Sequence, residues 1–208
     1  MSLPTNKDTG RPGRLAQQIA FLVEADKLKG ILRRTPLVDA SRLENSAEHS
    51  WHLVLVAMVM REYAGADLDL FRVLEMAAVH DLVEIDAGDT FAYDAVGIET
   101  KADRERAAAA RIFGLLPADQ RDYVRSLWEE FEAQDTHEAK FANAVDRLQP
   151  LLQNAHAGGG SWRTHDLHRD QIMQRMAPIE SAMPGVWPEV VKVIDAFCAS
   201  GVIRSDSR

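Results

Sequence analysis

Cysteine is nearly missing from this chain: Cys198 stands alone among 208 residues, so no intrachain disulfide can form and nothing points to an oxidising compartment. It lies in the apolar stretch 190–198, where a packed thiol is expected rather than a reactive one. Long hydrophobic runs are absent as well, and no uninterrupted apolar stretch has the length needed to span a bilayer. Positive charge is the minority sign, with 24 Lys and Arg against 32 Asp and Glu for a net charge of -8. That balance argues against a nucleic-acid polymer as partner, because a phosphate backbone needs a clustered basic surface. A small anion can still be held by a local arginine. Residues 1–14 are polar, contain Pro and Gly, and lack the apolar centre of a signal peptide. The expectation is a soluble cytoplasmic protein with no membrane contact, a flexible segment over 1–14 and one domain over 15–204. A hydrophobic content of 46% is ordinary for a single core of this length.

Convincing hairpins and period-two segments are missing too, and helical spacing takes their place, so the expected fold is all-α. Leu15, Ile19, Leu22, Leu28 and Ile31 mark a first helix that should end before Pro36. A second is expected from 46 to about 63, stopped by Gly65, and a third capped by Asp67 or Asp69 and broken at Gly88. Residues 99–113 are Ala- and Arg-rich, hence helical by propensity. Pro117 suits the first turn of another helix, and Thr136 can cap one running to Gly158-Gly159-Gly160. Those three glycines read as a turn rather than a lid, since no Walker pattern surrounds them. Helices near 167–176 and 188–199 close the chain.

Within that frame the pair His80-Asp81 carries the most chemistry. It ends an apolar helical run (Leu70, Phe71, Val73, Leu74, Met76, Ala77, Ala78, Val79), with Glu84 one turn on. Adjacent helix positions point roughly 100° apart, so an imidazole and a carboxylate can both reach one cation at the seam between their faces. An unpaired carboxylate in apolar surroundings either loses its charge or finds a counter-ion. A second copy of the dipeptide, His165-Asp166, sits in a polar stretch and reads as a solvated helix start. Company distinguishes the first copy. Glu48-His49 opens another apolar helix, which Asn45 and Glu48 can cap reciprocally. Asp146 lies in a third, whose apolar positions Phe141, Val145, Leu148 and Leu152 keep a helical period. Two imidazoles and two carboxylates suit a borderline divalent ion better than a structural zinc, which prefers thiolates.

The order His49, His80-Asp81, Asp146 on successive helices resembles the HD-domain metal-dependent phosphohydrolases. The segments Glu44-Asn45-Ser46-Ala47-Glu48-His49-Ser50, His80-Asp81-Leu82-Val83-Glu84-Ile85-Asp86-Ala87-Gly88-Asp89 and Ala144-Val145-Asp146-Arg147-Leu148 are similar to the branch containing the 5'-deoxynucleotidases. The resemblance implies an HD-type helical bundle with one divalent metal (Mn, Co, Zn or Mg) held by His49, His80, Asp81 and Asp146. It further implies hydrolysis of nucleoside or deoxynucleoside 5'-monophosphates by a metal-activated water. Glu84 matches the family's acid beside the nucleophilic water, and Asp89 a further acid near the sugar or leaving group, with Asp86 its lower-ranked neighbour. Arg34 matches the phosphate-binding arginine, with Arg33 the alternative if the register slips. A homodimer is also expected on this resemblance.

Other positions carry softer expectations. His52 lies three residues after His49 and is imaginable as an extra ligand. Lys101, Arg104 and Arg106 can bring charge near a phosphate, although such a helix face is usually solvated. His137, His156 and His168 receive no role. Thr35-Pro36-Leu37 after Arg34, where the nucleotidases carry aromatics, and Thr90-Phe91 after Asp89, where they often carry proline, bear on the choice of sugar and leaving group. Two other readings therefore stand beside the nucleotidase: an HD phosphohydrolase on another phosphoester, and a non-enzymatic module that binds metal and nucleotide.

Overall fold

A computed structural model describes residues 13–65 and 67–205. The expected flexible segment 1–14 thus lies outside the described residues except at Gly13 and Arg14. The elements run α1 (Arg14–Ala25), β1 (Leu32–Pro36), β2 (Leu43–Asn45), α2 (Ser46–Met60), α3 (Leu70–Val79), α4 (Glu84–Ala87), α5 (Ala95–Phe113), α6 (Ala118–Ala133), α7 (His137–His156), α8 (Gly160–Thr164), α9 (Arg169–Ala182) and α10 (Trp187–Ala199). Single 3-10 turns at Asp26–Gly30, Arg61–Tyr63 and His80–Val83 tighten three of the junctions. No helix among the described residues is long and apolar enough to cross a membrane.

The central element is α7, which packs against α2, α3, α6 and α9. Its inner face contributes Phe141, Val145, Leu148 and Leu151 to a core shared with Leu53, Met76, Ile172 and Ile194. A smaller core gathers Leu28, Leu82, Val83, Ile112, Phe113 and Trp128 between the first turns, α5 and α6. Leu82 and Val83 belong to the second core while Met76 and Ala77 belong to the first. The His80-Asp81 turn is therefore pinned from both sides. Caps fix the entry points: Asn45 and Glu48 form a capping box on α2, the Asp69 side chain accepts from Arg72 N, and the Thr136 side chain accepts from Ala139 N.

The structure departs from the expected element map in three places, and the glycine segment follows it. The first helix stops at Ala25, and the chain then forms an antiparallel hairpin between β1 and β2, paired at Leu32–Asn45 and Pro36–Leu43 with an irregular register. The helix carrying His80 does not run through to Gly88; it tightens into a 3-10 turn at His80 and resumes as the short α4. Successive side chains there turn by about 120° rather than about 100°. His165-Asp166 is not a helix start but the loop after α8, with Asp166 at φ 52°. The glycine segment is a packed turn: a Cβ at Gly160 would lie 2.3 Å from Asn154 Oδ1 and 3.0 Å from Pro36 Cγ, so only glycine admits this approach to the hairpin.

Candidate metal centre and its cleft

Three elements aim four polar side chains at a common point. His49 comes from the first turn of α2, His80 and Asp81 from the 3-10 turn after α3, and Asp146 from the middle of α7. His49 Nε2 lies 2.9 Å from Asp146 Oδ1 and 3.9 Å from Asp81 Oδ2. His80 Nε2 lies 3.1 Å from Asp81 Oδ1 and 3.9 Å from Asp146 Oδ1. Pro150, four residues after Asp146, has no N–H, so it withholds the helical hydrogen bond from the Asp146 carbonyl.

The donor set fits a divalent ion. Ligand atoms about 2.1 Å from a shared centre stand about 3.0 Å apart when adjacent, and the shorter separations here match that spacing. The His80 Nδ1–H donates to Ala77 O at 2.9 Å, which leaves Nε2 with its lone pair facing the cluster, buried and without a hydrogen-bond partner. A buried ring nitrogen without a partner is costly in a native core, and a cation removes that cost. Behind His49, the Gln149 amide donates to Glu44 Oε1 at 2.9 Å and turns its oxygen to His49 Nδ1 at 3.0 Å. Gln153 donates to the same Glu44 oxygen at 2.7 Å. His52 is not turned to the centre; its Nδ1 accepts from Gln149 Nε2 at 3.1 Å.

The cluster's charges regulate one another. Burial and Arg33 work against a charged His49, but hydrogen bonds to Asp146 and Glu44 outweigh them and raise it to about 9. Asp146 is held well below the usual carboxylate range: burial opposes ionisation, and the His49 hydrogen bond overcomes it. Glu84 goes the other way, pushed well up by burial and by Asp81, with Arg33 and Ser46 opposing. Its carboxylate accepts the Ser46 hydroxyl at 2.6 Å. Asp89, just past Gly88 at φ 73°, is also raised by burial and Asp81, against Arg33.

His80, Asp81, Glu84, Asp89 and Asp146 line a cleft whose walls also include Arg33, Arg34, Thr90, Phe91, Tyr93 and Lys101. Glu84, Asp89 and Arg34 thus share one cavity with His80, Asp81 and Asp146, while His49 is fully buried. The two arginines differ in state. Arg33 is mostly buried and donates to Asp81 Oδ2 at 3.0 Å, with its charge reinforced by Asp81 and Glu84 against burial. Arg34, next along the strand, is exposed at the cleft. Asp86 lies outside, paired with Arg111. Lys101 reaches the cleft beside Glu105, 3.3 Å away. Arg104 instead braces the loop before α5 through Ala87 O, Thr90 Oγ1 and Gly97 O, and Arg106 pairs with Asp103 on the surface. Sequence reasoning assigned no role to Glu44, Gln149, Arg147, Arg175 or Tyr93. Only Gln149 carried a signal, standing three residues after Asp146 and so on the same helix face.

Comparison with known proteins places this geometry. The family model described as "HD domain" matches residues 25–187. The 5'-deoxynucleotidase HDDC2 of Mus musculus is 34% identical over 139 residues, 64% of this chain and 68% of that protein. The 5'-deoxynucleotidase of Shewanella oneidensis is 28% identical over 186 residues, covering 85% of this chain and 91% of that one. Among solved structures, a "predicted metal-dependent phosphohydrolase" from Magnetospirillum magnetotacticum MS-1 is 46% identical, with a TM-score of 0.87 over 91% of this chain and 95% of that chain.

Proposed function

The chain belongs to the HD-domain family, and from that premise we propose that it is a metal-dependent phosphohydrolase that cleaves nucleoside 5'-monophosphates, deoxynucleotides included, to nucleoside and phosphate. The observation that carries the reading is the convergence of His49, His80, Asp81 and Asp146, with His80 Nε2 buried and unpartnered among them. Those four would hold one divalent ion, with Mn, Co, Zn and Mg all compatible with imidazole and carboxylate donors. Such an ion supplies Lewis acidity to a phosphoryl oxygen and makes a nearby water more acidic.

The chain's own residues do the rest. Glu84, whose carboxyl is pushed up by burial, orients the attacking water and takes its proton. Arg34 offers a planar fork to the phosphate oxygens, and Arg33 holds Asp81 in position. Asp89 faces the sugar and leaving oxygen from the Gly88 turn.

A cytoplasmic homodimer completes the reading. The free thiol of Cys198 suits a reducing compartment. For the dimer, α2 is apolar all round: Leu53 and Ala57 face the core, while Trp51, Leu55, Met58 and Val59 are exposed. A second copy covering that outer face removes it from water, and light scattering at micromolar concentration reads the result. A monomer there rules the dimer out.

The activity is tested by stripping the protein of metal, restoring Mn²⁺, Co²⁺, Mg²⁺ or Zn²⁺ singly, and measuring phosphate released from ribo- and deoxynucleoside 5'-monophosphates. Turnover that depends on metal and is lost in Asp81→Asn supports the nucleotidase. Silence across the panel with metal bound rejects nucleoside monophosphates as substrates.

A further inference from the structure

We propose that Arg147, Arg175 and the Tyr93 hydroxyl form a second anion subsite in the cleft, so that the preferred substrate is a phosphomonoester bearing another phosphate or a carboxylate. The inference deepens the phosphohydrolase reading and rests on it for the identity of the scissile group.

Arg147 follows Asp146 on α7 and is 9% exposed. Its Nη1 donates to Asn143 O at 2.8 Å, Asn143 Oδ1 at 3.0 Å and Asp146 Oδ2 at 3.3 Å. Its Nε and Nη2 donors have no partner among the described residues and are not sealed in protein, so they open onto the cleft that Arg147 lines. Arg175 reaches the same cleft from α9. It is half-buried and makes no hydrogen bond or ion pair with any described residue. Its charge bears on both Arg147 and Tyr93. Tyr93, on the loop after Asp89, lines the cleft too, and its hydroxyl has no hydrogen-bond partner among the described residues.

Two guanidiniums brought together from different helices repel one another, more strongly where water is restricted. An anion that accepts from both relieves the repulsion and uses donors that are otherwise idle. Asp146 is shared between His49 and Arg147 Nη1, and the cleft's other carboxylates are engaged elsewhere: Asp81 with Arg33, Glu84 with Ser46, and Glu105 with Lys101. Glu132, which also bears on Arg147, leans to Lys101 at 4.0 Å. Arg34 enters the cleft from β1, whereas Arg147 and Arg175 enter it from α7 and α9.

The test compares equilibrium binding of three probes to the metal-loaded protein by calorimetry: a nucleoside 5'-monophosphate, a nucleoside 3',5'-bisphosphate and a phosphorylated hydroxy acid. A charge-assisted pair predicts that one of the two doubly anionic probes binds about tenfold more tightly than the monophosphate. Which one does so identifies the source of the second anion. Arg175→Gln should bring that probe down to the affinity of the monophosphate, and Arg175→Lys should restore part of the difference. Equal affinities in the unaltered protein, or an equal loss for all three probes in Arg175→Gln, would overturn the subsite. Phosphate release is read separately. A binding difference without release from any probe removes the hydrolase reading and leaves the subsite standing, whereas release with equal binding removes the subsite alone.

Discussion

The amide of Gln149 fixes the tautomer of His49. Its Nε2 is committed to Glu44 at 2.9 Å, so the oxygen left to face His49 Nδ1 at 3.0 Å can only accept, and the ring must carry its proton on Nδ1. Nε2 is then the atom presented to Asp146, Asp81 and a shared ion. Gln149→Leu removes the acceptor and also strands Glu44, a buried carboxylate that draws its hydrogen bonds from Gln149 and Gln153. Loss of such an outer partner costs about tenfold to a hundredfold in metal affinity, which a chelator competition measures without reference to activity. Unchanged affinity would mean that packing alone orients the ring.

Glu84 separates catalysis from metal binding. It stands beside the four ligand candidates rather than among them, and its carboxylate is held by the Ser46 hydroxyl. Glu84→Gln keeps size and the hydrogen bond while removing the base. The expected outcome is metal uptake equal to that of the unaltered protein, with kcat lower by about a hundredfold to ten-thousandfold. If metal is lost as well, Glu84 belongs to the coordination set and the role of base passes to another group.

The helix that delivers His49 depends on its first turn. Asn45 accepts from Glu48 N at 2.9 Å, Glu48 accepts from Asn45 N at 3.2 Å, and Arg42 clamps the same Glu48 carboxylate. Asn45→Ala opens the box and is expected to cost about 0.5–2 kcal/mol of stability in urea unfolding. A loss well beyond that range would mean the hairpin, which ends at Asn45, unravels with the cap.

Much of the site is legible in the sequence because each ligand candidate lies on an element with a strong local signal. Asn45 and Glu48 announce the start of α2, the apolar run to Val79 announces α3, and Phe141, Val145 and Leu148 announce α7. The partners that give the site its electrostatics meet it only through tertiary structure. Glu44 and Gln149 are 105 positions apart, and Arg175 and Arg147 line one cleft from different helices. The hairpin escaped notice because Leu32-Arg33-Arg34-Thr35-Pro36 has neither apolar alternation nor a two-residue turn, and its pairing is irregular. The 3-10 turn at His80 has no local marker either; it follows from two cores holding its opposite ends.

The phenol of Tyr93 provides a pH test of the cleft's interior. Burial pushes it from the ordinary 10.0 to about 12, against the opposing charge of Arg175. Because the folded value is the higher one, the contribution to stability is fully present below pH 10 and is lost as pH rises through about 12, where the buried ring would have to ionise. Tyrosinate absorbance in the folded protein should therefore show a late step near pH 12 that disappears in Tyr93→Phe. Arg175→Gln removes the neighbouring cation and should move that step higher still. A Tyr93 step at the ordinary value would mean that water reaches the hydroxyl freely, and the ring could not then serve as a dry hydrogen-bond donor to a bound anion.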